Sequence, residues 1–255
     1  MSGGSERPGN GRSPGAQGGA PDLSLVVPVY NERDNLRPLL AEIERSLEGQ
    51  GWRYEVLMVD DGSTDGSDRT LLELARAHPA LRVVRFARNA GQTAAMDAGF
   101  HRARGRIVVT LDADLQNDPS DIPRLVREME GWDAVVGVRL ERRDTLVRRV
   151  SSRVANYVRN RLSDETITDT GCSLKAYRRA ALDRLKLYNG MHRFLPTLLK
   201  MEGFRVRELP VGHRARAHGE SKYGISNRLL PSFLDLLAVR WMKKRALRYE
   251  VKDDA

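Results

Sequence analysis

Two carboxylates and a carboxamide follow a short apolar run in the middle of the chain. Asp112, Asp114 and Gln116 come directly after Ile107–Leu111, a run that is mostly β-branched or aliphatic. Runs this short are typical of buried strands in a parallel sheet. Because side chains two positions apart on an extended chain point the same way, we expect the three oxygen-bearing groups to converge at the strand's carboxyl end. Clustered oxygen ligands predict Mg²⁺ or Mn²⁺ held there against a phosphate.

A local interpretation of the same carboxylates stays open. Asp112 and Asp114 could form Asx-turns in a polar loop, or cap a helix that begins near Ser120. In that case their role would be structural, and they would not bind a metal or take part in catalysis.

Two further apolar runs in the N-terminal half also end in polar clusters. The run 23–27 leads into Pro28-Val-Tyr-Asn-Glu32, and the run 56–59 leads into Asp60-Asp-Gly-Ser-Thr-Asp65. Each break precedes leucines at helical spacing, and a strand near 81–86 and a helix near 93–103 follow. Strands that alternate with helices indicate a parallel sheet with crossover helices, so the acidic loops should meet at one sheet edge around a nucleotide.

These residues carry a resemblance to a known family. The chain resembles the family 2 glycosyltransferases, and within them the polyprenyl-phosphate branch that includes dolichol-phosphate mannosyltransferase and its bacterial relatives. The resemblance covers about residues 23–241 and rests on six motifs in family order. They are Pro28-Val-Tyr-Asn-Glu32, Asp60-Asp-Gly-Ser-Thr-Asp65, Asn89-Ala-Gly91, Asp112-Ala-Asp-Leu-Gln116, Asp169-Thr-Gly171 and Arg216-Ala-His-Gly-Glu-Ser-Lys222.

The resemblance implies an α/β fold of the GT-A type, with a Rossmann-like, mostly parallel sheet flanked by helices. It assigns Pro28, Tyr30, Glu32 and Asp61 to the nucleotide pocket. Tyr30 has an alternative role as a packed aromatic residue, and Glu32 as a carboxylate favoured by a helix N-terminus. Asp112 and Asp114 would hold Mg²⁺ or Mn²⁺, with Gln116 in support, to stabilise charge on the leaving diphosphate.

The acceptor decides whether the reaction needs a base. A hydroxyl nucleophile must lose a proton, and Asp169 is the residue that would take it. A lipid monophosphate is already anionic and needs orientation and charge neutralisation instead. If the acceptor is a lipid phosphate, Asp169 would orient the sugar or an arginine. Its alternative role is to cap or pair within the Asp169-Thr-Gly171 turn. The cations expected around the acceptor or donor phosphates are Arg139, Arg153, Arg216 and Lys222, the last two in a loop that could close over the donor.

The sequence therefore predicts an inverting transferase that moves a hexose from a nucleoside-diphosphate sugar to a polyprenyl phosphate. One alternative is a family 2 enzyme that acts on a sugar hydroxyl of a polysaccharide or lipopolysaccharide. Another is an inactive, basic membrane-binding module, which the intact Asp112-Ala-Asp-Leu-Gln116 motif argues against.

Composition divides the chain into three parts. Residues 1–22 hold seven glycines and three prolines and are expected to be a disordered tail, residues 23–222 form the transferase domain, and residues 223–255 form an amphipathic, basic segment. No stretch resembles a signal peptide, and the single cysteine, Cys172, fits a reducing compartment, so we expect a cytoplasmic protein, peripheral on the cytoplasmic face of the membrane.

Charge is distributed unevenly along the chain. Residues 1–127 carry 16 basic and 18 acidic side chains, whereas residues 128–255 carry 27 and 16. No nucleic-acid-binding motif accompanies the basic half, which favours an anionic membrane surface over nucleic acid as a partner. The apolar positions within 225–242 are interrupted by charges and a proline, so the segment would lie in the membrane interface or pack as a core helix. A homo-oligomer is a further possible assembly.

Overall fold

The structure is a computed structural model that describes residues 19–139, 167–215 and 226–247, together with residues 249 and 252. The predicted disordered tail lies outside these ranges except for its last four residues. Arg153, Arg216 and Lys222 also lie outside the described residues.

The described residues contain one sheet of seven strands. Its spatial order is β3-β2-β1-β4-β6-β5-β7. Among these strands only β6 runs antiparallel to its neighbours, β4 and β5. The carboxyl ends of β1, β2, β4 and β5 therefore share one edge with the amino end of β6. The strands are β1 Leu23–Val29, β2 Tyr54–Asp60, β3 Leu81–Arg85, β4 Ile107–Thr110, β5 Ala134–Arg139, β6 Lys175–Arg178 and β7 Val206–Val211.

Helices cover both faces of this sheet. One face packs against α1, α2 and α4, and the other against α3, α5 and α6. Alternation along β1 supports both cores: Leu25 and Val27 belong to one, whereas Val26 belongs to the other. The helices are α1 Arg33–Leu47, α2 Ser67–Ala77, α3 Gln92–Arg102, α4 Ile122–Arg127, α5 Arg179–Leu182, α6 Leu195–Met201 and α7 Ser226–Arg245, with 3₁₀ turns at Pro119–Asp121 and Met191–Phe194.

The predicted alternation of strands and helices is confirmed, although β1 and β2 extend beyond the predicted apolar runs 23–27 and 56–59. The predicted helix near 93–103 is α3, and the predicted strand near 81–86 is β3. The leucines and isoleucine that gave the first helical pattern are all buried on α1. The fold is the mostly parallel, helix-flanked α/β sheet that the sequence predicts.

The C-terminal helix α7 has one face in the protein core. Leu236 and Val239 are buried in a cluster with Met191, Phe194 and Leu198. Other apolar side chains of α7 stay exposed, so this segment packs on the domain with only part of its apolar surface. No helix in the described ranges is both long enough and apolar enough to span a bilayer.

Candidate active site

The segment that carries the two central carboxylates is a turn and not an extended strand. Strand β4 ends at Thr110, and Leu115 has a φ of 60°, in the left-handed region that few non-glycine residues adopt. The N–H of Gln116 donates to Oδ1 of Asp114 at 3.2 Å, as in an Asx-turn. The expected strand alternation does not continue past Thr110, because residues 113–115 bend and Leu115 is left-handed. Such backbone strain is concentrated at functional sites.

Asp112 and Asp114 nonetheless lie close enough to interact electrostatically. Burial and the negative charge of Asp114 together raise the pKa of Asp112 to about 6, and burial is the larger cause. A hydrogen bond with the Ser173 side chain and the charges of Lys175 and Arg139 oppose this shift in the pKa of Asp112. The cap of the 3₁₀ turn that follows is Asp118, whose Oδ1 accepts from the N–H of Ser120 at 3.0 Å. Neither central carboxylate is thus needed as the helix cap that the local interpretation proposed.

This donor set suits a divalent cation that also binds a phosphate. Two close carboxylates supply oxygen ligands and repel each other, and a cation would relieve that repulsion. The described residues contain no group of three or more histidine, cysteine, aspartate and glutamate side chains that could enclose a metal. Mg²⁺ is commonly held by one or two carboxylates plus substrate phosphates, so the pair fits this mode of binding. The main-chain oxygen of Gln116 accepts a hydrogen bond from the N–H of Arg214 at 2.8 Å. A role of the Gln116 side chain in metal binding stays a prediction.

The loops after β1 and β2 are bound to each other. The N–H of Asn31 donates to Oγ of Ser63 at 2.9 Å, and the N–H of Thr64 donates to Oδ1 of Asn31 at 2.7 Å. The N–H of Glu32 donates to Oγ of Ser67 at 3.0 Å. These bonds explain Asn31 and Ser63 of the two motifs, because they join the loops into one wall at the sheet edge.

Glu32 immediately precedes α1 and accepts a hydrogen bond from Nδ2 of Asn35 at 2.6 Å. This contact fits the alternative in which Glu32 serves the helix N-terminus. Pro28 lies near the end of β1 and Tyr30 directly follows that strand, and both are partly buried. Their assignment to a nucleotide pocket, with that of Glu32, stays a prediction.

Asp61 is buried and holds the loop that precedes α3. Its Oδ1 accepts from the N–H of Ala90 at 2.7 Å, and its Oδ2 accepts from the N–H of Gly91 and from Nδ2 of Asn89, both at 2.9 Å. Asp61 thus explains the Asn89-Ala-Gly91 motif in structural terms. A direct contact of Asp61 with a nucleotide stays a prediction.

Arg139 and Asp169 form a bidentate ion pair at the same edge. Nε of Arg139 lies 2.7 Å from Oδ2 of Asp169, and Nη2 lies 2.8 Å from Oδ1. The N–H of Gly171 also donates to Oδ1 at 3.1 Å. The hydrogen bonds and charge of Asp169 outweigh burial and raise the pKa of Arg139. The structure therefore joins the predicted acceptor cation to the predicted base.

Two polar residues of this region escaped the sequence analysis. Lys175, the first residue of β6, is buried, and its Nζ donates to the carbonyl of Thr170 at 3.4 Å. Burial lowers the pKa of Lys175, while the carboxylates of Asp169 and Asp112 oppose this. A lysine within the otherwise apolar Leu174–Tyr177 run was the available signal. The second, Gln92, donates from Nε2 to Oδ1 of Asp112 at 2.8 Å, and it directly follows the Asn89-Ala-Gly91 motif.

Comparison with known families decides the membership of this chain. The sequence model of glycosyl transferase family 2 matches residues 24–186, which include β1 to β6 and the acidic loops. The chain belongs to glycosyltransferase family 2. The matched residues include the Asp112-Ala-Asp114 segment, which follows β4 at the shared edge of the sheet.

Similar curated proteins are bacterial members of this family. The chain is 43% identical over 240 residues to dodecaprenyl-phosphate galacturonate synthase of Rhizobium johnstonii, with 91% of this chain and 69% of that protein covered. It is 42% identical over 206 residues to undecaprenyl-phosphate 4-deoxy-4-formamido-L-arabinose transferase of Edwardsiella ictaluri, with 80% and 63% covered. This family 2 chain thus spans about two-thirds of the length of these relatives.

Solved structures show the same GT-A fold at low sequence identity. The mannosyltransferase PcManGT from Pyrobaculum calidifontis, in complex with GDP-Man and Mn²⁺, has a TM-score of 0.61 at 22% identity and covers 89% of this chain and 70% of its own. Glucosyl-3-phosphoglycerate synthase from Mycobacterium tuberculosis, with Mn²⁺, UDP and phosphoglyceric acid, has a TM-score of 0.67 at 20% identity and covers 88% and 78%. These structures support the fold of the family 2 chain.

Proposed function

We propose that this family 2 chain transfers a sugar from a nucleoside-diphosphate donor to a polyprenyl phosphate, with inversion at the anomeric carbon. The observation that carries the proposal is the bidentate pairing of Asp169 with Arg139. A hydroxyl acceptor needs a carboxylate that is available to take its proton, and Asp169 is already bound to a guanidinium. A lipid phosphate needs no base, because it is anionic at neutral pH. Relatives named for dodecaprenyl phosphate and undecaprenyl phosphate support the same acceptor.

Asp112 and Asp114 would hold the divalent cation. When bound, Mg²⁺ or Mn²⁺ would neutralise charge on the diphosphate as it leaves the sugar. The solved family 2-like structures with Mn²⁺ or Mg²⁺ support this assignment. The two carboxylates position the cation, while the joined loops after β1 and β2 form the adjacent wall for the nucleotide.

Arg139 is proposed to orient the acceptor phosphate. A guanidinium has five N–H donors, and the pair with Asp169 uses two of them. Asp169 fixes the plane of the guanidinium, so the remaining donors have a defined direction for a phosphate oxygen. Arg153, Arg216 and Lys222 are proposed to add charge around the acceptor or donor phosphates, as the sequence predicts.

An anionic membrane surface is the proposed site of action, reached through an exposed stripe on α7. Phe233, Leu237, Trp241 and Lys244 are spaced by four, four and three residues and are all exposed, so they share one face of the helix. Trp241 is 63% exposed and Phe233 46%. Aromatic and aliphatic side chains beside lysines suit the interface of an anionic bilayer, whose polyprenyl phosphates would then lie within reach.

A transfer assay tests this function. Labelled nucleotide sugars, including UDP-galacturonate and GDP-mannose, would be offered with undecaprenyl phosphate in the presence of Mg²⁺ or Mn²⁺. We expect label in the organic phase with at least one donor, released by mild acid as a sugar phosphate linked to lipid. Label transferred only to a polysaccharide or lipopolysaccharide acceptor would replace the proposal with the hydroxyl-acceptor reaction. Vesicle binding without any transfer would support an inactive membrane module.

A further inference from the structure

The carboxamide of Gln92 contacts one of the two central carboxylates directly. Its Nε2 donates to Oδ1 of Asp112 at 2.8 Å, although the residues are 20 positions apart. Gln92 is the first residue of α3, and Asp112 follows β4. The contact therefore joins a helix N-terminus to the turn after a neighbouring strand.

The backbone on both sides of Gln92 is held in place. The N–H of Gly91, which has a φ of 95°, donates to Oδ2 of Asp61 at 2.9 Å. On the other side Oγ1 of the buried Thr93 accepts from the N–H of Gly190 at 3.0 Å and lies 2.7 Å from Nδ1 of His192. Because both neighbours are anchored, the backbone of Gln92 has a fixed position, and only its side-chain rotamers must be restricted when it binds Asp112.

We propose that Gln92 is a positioning residue that holds Asp112 in the orientation required for a divalent cation. A carboxylate has about four lone-pair sites, so one accepted hydrogen bond fixes its rotation and leaves sites for the cation. Hydrogen bonds to ligating carboxylates commonly set ligand orientation in metal sites. This inference rests on the proposed function, since it concerns the cation of that same reaction.

The loop that precedes Gln92 also links its contact with Asp112 to the proposed nucleotide wall. Asp61, which is predicted to face the nucleotide, binds the loop at Ala90 and Gly91, and Gln92 follows immediately. One short stretch of backbone therefore connects the proposed nucleotide wall to the metal carboxylate. A displacement of that loop would be transmitted to Asp112 through a single side chain.

The test is Mn²⁺ affinity, measured on the purified protein without substrate. Gln92→Met keeps the length of the side chain and removes the donor, and Gln92→Asn keeps the amide but is one methylene too short. Titration with Mn²⁺ alone, followed by the EPR signal of the free aquo ion, should show binding about 10-fold to 100-fold weaker in both variants. Gln50→Met is the matched control, because Gln50 lies near the start of β2, beyond the opposite edge of the sheet, and contacts Arg127. It should bind Mn²⁺ as the parent does.

Transfer kinetics then separate positioning from general damage. In Gln92→Met the Mn²⁺ concentration for half-maximal rate should rise by the same factor as the dissociation constant, and the rate at saturating Mn²⁺ should recover. The melting temperature in chelator should fall by no more than about 4 °C, the scale of one lost hydrogen bond. A rate that stays low at every Mn²⁺ concentration would indicate a merely structural role and overturn the inference.

Two outcomes distinguish this inference from the proposed function. A parent that binds Mn²⁺ and transfers sugar, with Gln92 variants of equal affinity, overturns only the role of Gln92. A parent that transfers sugar at full rate in excess chelator overturns the metal-dependent reaction, and the role of Gln92 falls with it.

Discussion

Arg139 and Asp169 lie 30 positions apart and meet through two parallel hydrogen bonds of 2.7 and 2.8 Å. Both side chains are largely buried, with 16% and 8% exposed. Removing one partner from such a pair leaves an uncompensated charge, which costs about 3–5 kcal/mol. The pair is thus a fixed unit at the sheet edge, and its geometry makes Asp169 the partner of an arginine.

Asp169→Asn should retain measurable transfer to polyprenyl phosphate. Loss of a general base costs about 10²-fold to 10⁴-fold, whereas loss of an arginine partner should act mainly through stability and acceptor affinity. The acid side of the pH–rate profile should be the same in the variant and in the parent. Asp133→Asn is the control, because Asp133 pairs with Arg178 and Arg205 away from the site.

Arg216→Ala, outside the described residues, should damage transfer more than Asp169→Asn, and Arg216→Lys should rescue only partly, because an ammonium lacks the planar fork. An inactive Asp169→Asn beside a nearly normal Arg216→Ala would favour a hydroxyl acceptor.

Metal removal should abolish transfer, and Mg²⁺ or Mn²⁺ should restore it. Asp114→Asn keeps the shape of the side chain but removes its charge, so it should cost several kcal/mol of transition-state stabilisation, the scale of metal electrostatics. Asp118→Asn is the nearby control, since its carboxylate caps the 3₁₀ turn and pairs with Arg214. It should lower stability by about 1 kcal/mol and leave the metal requirement unchanged. Full activity in excess chelator would contradict the metal assignment.

The stability of the metal-free protein should depend on pH through Asp112. Its pKa is about 6 in the folded chain and 3.8 when unperturbed, so the folded state takes up the proton first as the pH falls. The ionised Asp112 carboxylate therefore lowers the free energy of unfolding by at most about 3 kcal/mol above about pH 6, and this penalty disappears as the pH falls to about 4.

Asp112→Asn should then raise the free energy of unfolding at about pH 7.5, and its difference from the parent should vanish near pH 4. Denaturant titrations in chelator at several pH values measure this, and Mg²⁺ should narrow the difference at neutral pH by stabilising the parent. Asp183→Asn, at an exposed position, is the control. A difference that does not change with pH would contradict the account.

Membrane binding should depend on the exposed stripe of α7. Leu237→Glu should weaken binding to anionic vesicles, because it places a negative charge in the apolar part of the stripe, and added salt should release the parent. Leu72→Glu on α2 is a close control, since Leu72 is 37% exposed and Leu237 39%. Cosedimentation with anionic and neutral vesicles measures both effects. Equal binding of the two variants would place the membrane contact elsewhere.

Gly62 should be intolerant of a side chain. Its φ is 71°, and a Cβ there would lie 2.5 Å from the backbone carbon of Arg88. Gly49 has the same φ but no atom within 4 Å of its Cβ position. Gly49→Ala should cost about 1–2 kcal/mol of unfolding free energy from left-handed strain alone. Gly62→Ala should cost about 3 kcal/mol or more, because the loop at Arg88 and Asn89 must also move. Chemical denaturation compares them, and equal losses would contradict the close approach.

The sequence by itself determined the elements from β1 to β5 and the edge at which the predicted chemistry lies. The helical spacing of Leu36, Leu39, Leu40 and Ile43 correctly predicted the buried face of α1. The apolar runs before Asp60 and Asp112 predicted parallel strands with carboxylates at a common edge, and the motif order predicted the family. Such features are readable because burial periodicity and strand termination are local properties of the chain.

Only the tertiary structure decided how the polar groups at that edge are paired. Arg139 meets Asp169 because the end of β5 lies beside the loop that leads into the antiparallel β6, and Gln92 meets Asp112 because α3 begins next to the turn after β4. The left-handed backbone at Leu115 and the burial of Lys175 are likewise visible only in the folded chain. These contacts join segments 20 or more residues apart, and no local pattern specifies which of several nearby donors a carboxylate will accept.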